Sequence, residues 1–221
     1  MTKFRDRGEA GRLLGERLLR YRDSAPVVLA LPRGGVPVGL EISRALEAPL
    51  DVFVVRKLGA PDQAELGIGA VTQGGVRVLN QRILKYLQVS EEHLERVTRR
   101  EQAEVEWRLK LLRGELPAPE IRERTVILVD DGLATGVTAL AAIAAIREYG
   151  PLRIVLAVPV CAAQSAEVIG REVDDIVSLE TPSDLQAIGL WYGDFDQVSD
   201  DEVVSLLNTA RQEQAFRSGI K

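Results

Sequence analysis

The chain has 221 residues, 46% of them apolar and 5% aromatic, with 33 acidic against 28 basic side chains for a formal charge of −5. That length can bury a sizeable core and fits one domain. The negative balance counts against a nucleic-acid partner, which needs a basic face. A single cysteine, Cys161, excludes an intrachain disulfide and a cysteine-built zinc site. It lies in an apolar run and reads as a small core residue. The one histidine, His93, lies in a charged stretch, reads as solvated surface and leaves no histidine-built metal centre or triad. No apolar run reaches the length of a membrane-spanning helix. The first residues lack the apolar centre of a secretion signal. A cytoplasmic protein without a membrane partner is therefore expected.

Residues 5–21 have the apolar spacing of an amphipathic helix, with Asp6 as its N-cap. Residues 27–31 form a short continuous apolar run, as in a parallel strand buried on both faces. Pro32-Arg33-Gly34-Gly35 follows, then an apolar helix over 36–46. The paired glycines open backbone conformations closed to other residues. They let main-chain N–H groups face an anion at the helix start, with Arg33 adding charge. Glycines at 34, 35 and 39 do not form the G-x-G-x-x-G fingerprint, which argues against a nicotinamide-dependent dehydrogenase. Residues 51–55 read as a second parallel strand ending in Arg56 and Lys57. Cations at that edge sit where open α/β sheets bind ligands.

Residues 68–71 and 76–79 flank Thr72-Gln73-Gly74-Gly75 as a hairpin. Helices are expected over 81–87 and 90–112, the second capped by Ser90 and Gly114, with a stripe of Leu94, Val97, Val105, Leu109 and Leu112. Trp107 is expected to pack. Leu116-Pro117-Ala118-Pro119 is a linker that returns the chain to the sheet.

Residues 126–138 carry the strongest signal. Four apolar residues read as a buried strand, Asp130 and Asp131 follow at its end, and a small-residue loop leads into a helix over 139–149. A strand-to-helix loop presents N–H groups and a positive dipole end to a phosphate. Thr135 and Thr138 add hydroxyl donors. Two adjacent carboxylates cannot bind that phosphate, and suit sugar hydroxyls or a Mg²⁺ beside it. Gly150-Pro151 stops the helix. Strands over 153–160 and 175–179 and helices over 163–170 and 200–211 complete an alternating pattern. The alternation predicts a three-layer α/β/α domain with a mainly parallel sheet. The segment 191–196 gathers Trp191, Tyr192 and Phe195 around Asp194. Aromatic faces there can stack on a flat base or seal a small core.

Residues 126–138 resemble the PRPP (5-phosphoribosyl-1-pyrophosphate) motif of type I phosphoribosyltransferases. The resemblance implies that fold, with residues 60–118 as a helical and hairpin hood inserted in a single domain. It implies a Mg²⁺-dependent displacement of pyrophosphate from PRPP by a nucleobase or amine, in a homodimer. Asp130 and Asp131 then hold the ribose hydroxyls, directly or through Mg²⁺. Leu133, Ala134, Thr135, Gly136, Val137 and Thr138 hold the 5′-phosphate. Arg33, Gly34, Gly35, Arg56 and Lys57 hold the pyrophosphate. Trp191, Tyr192 and Phe195 line the base pocket, and Asp194 binds water on the metal. Glu65, Gly67 and Gly69 belong to a loop closing over the reaction centre. Enzymes for 6-oxopurines carry an Asp where this chain has Ala134, so hypoxanthine or guanine is disfavoured. A non-catalytic PRPP-binding regulator on the same fold is the alternative.

Overall fold

The structure, a computed structural model, describes residues 4–61, 63–217 and 219, and for 64 and 65 the backbone alone. Helix α1 (Arg7–Leu18) starts at Asp6, whose side chain accepts from Glu9 N–H. Strand β1 (Val27–Ala30), helix α2 (Gly35–Leu46) and strand β2 (Leu50–Val52) follow. Next come β3 (Val55–Ala60), β4 (Gln63–Thr72), β5 (Arg77–Leu79), α3 (Gln81–Tyr86) and the long α4 (Glu91–Arg113). The chain then forms β6 (Thr125–Val129), α5 (Val137–Arg147), β7 (Arg153–Val160), α6 (Ala163–Ile169), β8 (Asp175–Glu180) and α7 (Asp200–Arg217).

Five strands form one parallel sheet in the order β2-β1-β6-β7-β8. The continuous apolar runs are explained by its two covered faces, because alternate residues point to opposite sides. Val28, Ala30, Ile127, Val129, Val155 and Ala157 face one core with Leu14, Leu18, Ile42 and Leu207. Val27, Leu29, Val126, Leu128, Ile154 and Leu156 face the other, with Ala142, Ile143, Ile146 and Ile169. Helices thus cover both faces, and the expected three-layer α/β/α architecture is observed.

One strand differs from expectation. The second parallel strand ends at Val52, and Phe53 and Val54 lead into a separate antiparallel sheet, β3-β4-β5. Both residues are fully buried, so the apolar run at 51–55 carries no mark of the change of sheet. The excursion from the parallel sheet begins at β3, ahead of residue 60. The hairpin at 72–75 is present, with Ala70 paired to Val78. Glu65 lies outside the described side chains.

Helix α4 packs on β3, β4 and β2 through Leu94, Val97, Val105 and Leu112, and is capped by Ser90 as expected. Its last residue, Arg113, reaches the parallel sheet: Nε lies 2.7 Å from Asp51 Oδ2, with both side chains buried, and Nη2 donates to Val52 O at 3.2 Å. Trp107 is 55% exposed rather than packed, and His93 is half-buried, with Nε2 3.4 Å from Gly59 O. Cys161 is buried as expected.

Candidate functional site

Strands β1 and β6 run side by side with Ala30 opposite Val129, so their C-terminal ends open onto one edge. Crevices at such strand ends are where open α/β sheets hold ligands. Leu31 N–H donates to Val129 O at 2.8 Å and Gly35 N–H to Leu31 O at 3.1 Å, which folds residues 31–35 across the end of β6. The Pro32–Arg33 peptide is cis.

The paired glycines are needed for space and not for an unusual backbone, which corrects the sequence expectation. Gly34 has φ −62° and ψ −30°, and Gly35 opens α2. A Cβ on Gly34 would stand 2.0 Å from Asp131 Oδ2. A Cβ on Gly35 would stand 2.7 Å from Val129 O and 3.1 Å from Asp130 Cα. The acidic pair and the glycine loop are in direct contact, and neither glycine can carry a side chain without moving the other loop. Arg33 lies beside them, its Nη1 3.9 Å from Asp200 Oδ1 at the start of α7.

The two carboxylates have different surroundings. Asp130 Oδ1 accepts Asp131 N–H at 2.9 Å. Burial pushes the Asp130 pKa well above the usual carboxylate range, and the Asp131 charge pushes it the same way. Asp131 is held from below. Arg7 Nε donates to its Oδ2 at 2.8 Å, and both side chains are nearly buried. Tyr192 Oη donates to Asp131 O at 2.5 Å. Burial, and then the Asp131 charge, raise the Tyr192 pKa above its ordinary value, so the hydroxyl stays a donor.

These contacts account for the aromatic segment. Tyr192 is 5% exposed, tilted on Phe4 at 5.4 Å and stacked on Phe195 at 4.9 Å. Arg7 lies 3.9 Å over the Phe195 ring. Tyr192 therefore has no free face for a base and serves as a brace for Asp131, a correction to the base-pocket expectation. Phe195 shares that stack, and Trp191 is half-buried at the end of a short turn, Ile188–Trp191. Asp194 is exposed and lines a separate groove with Asp6, Asp196 and Glu202. Among the described residues no three His, Cys, Asp or Glu side chains form a metal-holding group, so Asp194 does not join the acidic pair.

The loop after β6 is anchored at one end and open at the other. Leu133 is buried, its N–H donates to Val160 O at 2.8 Å, and its O accepts Ala162 N–H at 2.9 Å. Leu133 is thus a tether, and its N–H is not available to a phosphate. Ser165 Oγ fixes Ala134 O at 2.5 Å. Gly136, at φ 72°, turns the chain into α5 without a side-chain cap. The first-turn N–H groups of Val137 and Thr138 lack intrahelical acceptors, as in any helix. Thr135, Val137 and Thr138 are exposed there.

A cleft of about 880 Å³ lies between this loop and the antiparallel sheet, with Thr135 and Thr138 on one side and Lys57, Gly67 and Gly69 on the other. Lys57 and the phosphate-type loop are thereby brought together. Arg56 is not: inside β3 successive side chains point to opposite faces, and its Nε donates to the buried Glu101 at 3.0 Å. The expected cation pair is split because both residues lie inside β3 and not past the end of a strand. Sequence reasoning missed Arg7, whose partner lies 124 residues away and leaves no local signal.

A family model described as "Phosphoribosyl transferase domain" matches residues 8–192. Two curated relatives from Mycobacterium tuberculosis strains (CDC 1551 / Oshkosh and ATCC 25618 / H37Rv), named provisionally as phosphoribosyl transferases, are each 42% identical over 220 residues. That alignment covers 100% of this chain and 50% of theirs, so the chain spans about half the length of the curated relatives it matches. The crystal structure of TT1426 from Thermus thermophilus superposes with a TM-score of 0.84 at 41% identity, covering 93% of this chain and 98% of that one. By its matching domain and its 42% identity to those relatives, the chain belongs to the phosphoribosyl transferase family.

Proposed function

We propose that the chain transfers a phosphoribosyl group from PRPP to a nitrogen nucleophile, a nucleobase or an amine, releasing pyrophosphate. The observation that carries this reading is the contact between the Gly34–Gly35 loop and the Asp130–Asp131 pair, beside the uncapped start of α5. That edge offers a sequence of chemistries matched to one donor. The first turn of α5, with Thr135 and Thr138, suits the 5′-phosphate. The carboxylates suit the ribose hydroxyls, the Arg33 loop suits the pyrophosphate, and Lys57 faces Thr135 and Thr138 across the cleft and adds positive charge there. In the reaction the C1–O bond to pyrophosphate breaks, the leaving group takes the electron pair, and the nucleophile nitrogen bonds to C1 and loses a proton. Asp130 and Asp131 stabilise positive charge developing at C1, and the loops hold the donor in line.

The acidic pair fits Mg²⁺. Asp131 keeps Oδ1 while Arg7 takes Oδ2. A Mg²⁺ site takes one or two protein carboxylates and completes its shell with substrate oxygens and water. When bound, the metal would be held by Asp130 and Asp131 and would supply positive charge that offsets the charge of the leaving group. The decisive experiment is pyrophosphate release from PRPP and Mg²⁺ across a panel of bases and amines. Release with at least one acceptor is expected, as is a higher melting temperature with PRPP that Asp130→Asn/Asp131→Asn removes. No thermal shift at millimolar PRPP would sink the reading.

One observation favours a second reading, a non-catalytic PRPP-binding regulator. Arg56 is committed to Glu101 and not presented to the cleft. Tight PRPP binding with no acceptor in the panel would select it. A homodimer and a cytoplasmic location belong to the same proposal. No described helix is long and apolar enough to cross a membrane.

A further inference from the structure

We propose that Arg7 is a positioning residue for the phosphoribosyl site, acting through Asp131. The inference rests on the PRPP reading above. Arg7 lies one residue before the segment that matches the family model, which spans residues 8–192. Its side chain is 11% exposed, and the guanidinium reaches three places at once. Nε donates to Asp131 Oδ2 at 2.8 Å, Nη1 donates to Asp196 O at 2.9 Å, and the plane covers the Phe195 ring at 3.9 Å.

Each contact constrains a different freedom. The Nε bond selects one carboxylate oxygen of Asp131 and leaves Oδ1 for a ligand. Stacking on Phe195 and the bond to Asp196 O fix the guanidinium plane, so the bond to Asp131 has a set direction. The cation also offsets the repulsion of two adjacent carboxylates, which otherwise favours rotating Asp131 away from Asp130. Gly34 limits the remaining motion, since Oδ2 lies only 2.0 Å from where a Cβ on that residue would stand. Tyr192 Oη holds the backbone oxygen of the same residue. Asp131 is thus fixed in side chain and main chain by groups from the N-terminal helix and the C-terminal segment. Arg7 lines the groove of Asp194 and Asp196 and does not line the cleft of Lys57 and Thr135, and its contact with the acidic pair is the bond to Asp131.

The test compares two ligands on the full chain by titration calorimetry: PRPP with Mg²⁺, which carries ribose hydroxyls, and inorganic pyrophosphate without Mg²⁺, which carries none and does not call on a metal held by Asp131. Arg7→Met is expected to weaken PRPP binding about 10- to 100-fold, in line with the cost of a displaced binding group. Pyrophosphate should lose at least about fivefold less, because the Arg33 loop stays in place. Arg7→Lys keeps the charge and loses the fork, and should fall between wild type and Arg7→Met. Being conservative, it also serves if Arg7→Met folds poorly. Equal losses for both ligands would mean a general loosening and would overturn the inference, as would unchanged PRPP affinity. A wild-type protein that does not bind PRPP overturns the PRPP reading and this inference together. Wild-type binding with an insensitive Arg7 overturns the inference alone.

Discussion

Replacing Gly34 with alanine is the sharpest perturbation the site offers, because one methyl group enters and nothing else changes. The backbone at Gly34 is right-handed helical, φ −62° and ψ −30°, so alanine is conformationally acceptable there. The obstacle is Asp131 Oδ2, 2.0 Å from the new Cβ where ordinary contact begins at 3.4 Å. The carboxylate must therefore move by about 1.4 Å, the difference between those distances. It is the end of a side chain and can swing, but only by leaving Arg7. A displacement of about 1 Å in a positioning group costs on the order of 100-fold in rate, or about 2.7 kcal/mol. Stability should fall far less, by about 1–2 kcal/mol for one exchanged hydrogen bond, or about 2–4 °C of melting temperature per kcal/mol in a chain of this size. Gly35→Ala is the control. Its Cβ meets the backbone oxygen of Val129 at 2.7 Å, which cannot swing, so its principal loss is stability. The assays are PRPP titration, pyrophosphate release and thermal melting on the two variants. A Gly34→Ala protein that keeps PRPP affinity and turnover within about threefold of wild type would refute the argument.

Asp51→Ala leaves the Arg113 guanidinium buried without its carboxylate and should cost about 3–5 kcal/mol in urea unfolding; a cost under about 1 kcal/mol would mean the pair does not tie α4 to the sheet. Thr138→Val removes a hydroxyl from the open end of the loop and should weaken PRPP binding by about 1.5–3 kcal/mol with little change in melting temperature, as read by calorimetry. Burial pushes the Cys161 thiol from 9.0 up to about 11. The folded chain thus keeps that proton where the unfolded chain releases it. The corresponding stability is present below pH 9 and is lost as pH rises toward about 11. Cys161→Ala should flatten this decline in unfolding midpoints measured against pH, and native Cys161 should resist thiol reagents at pH 8.

The parallel sheet is legible because its strands are covered on both sides and read as unbroken apolar runs, with Gly, Pro and cap residues marking the boundaries. Strand 153–160 and the Ser90 and Gly114 caps of α4 show how far such local signals carry. The same rule misleads at 51–55, where Phe53 and Val54 are buried on leaving the sheet and so look like its continuation. The carboxylate pair, the glycine loop and the threonines are legible as local motifs. Their contacts are not. Gly34 reads in the sequence as a conformational device, while its function is to make room for an atom nearly a hundred residues away. Arg7 sits in no motif, and Tyr192, which reads in the aromatic segment as a base-stacking residue, is assigned as a brace only by its tertiary contacts. The apolar run of strand ends predicts where a site lies; which side chains hold it in shape is decided by packing across the whole chain.

The bridge between Phe4 and Tyr192 has a consequence for the order in which the site comes into being. During synthesis the N-terminal segments emerge first. The β1 loop, the cation on β3 and the acidic pair on β6 are all made before Tyr192, Phe195 and Asp196, which seat Arg7. A nascent chain that has completed the parallel sheet therefore holds two carboxylates side by side with the Arg7 clasp still open. It closes only once residues 192–196 have emerged. Assembly of this edge therefore waits on residues 192–196, and a ribosome-stalled chain ending before residue 190 would carry the parallel sheet with Arg7 unseated.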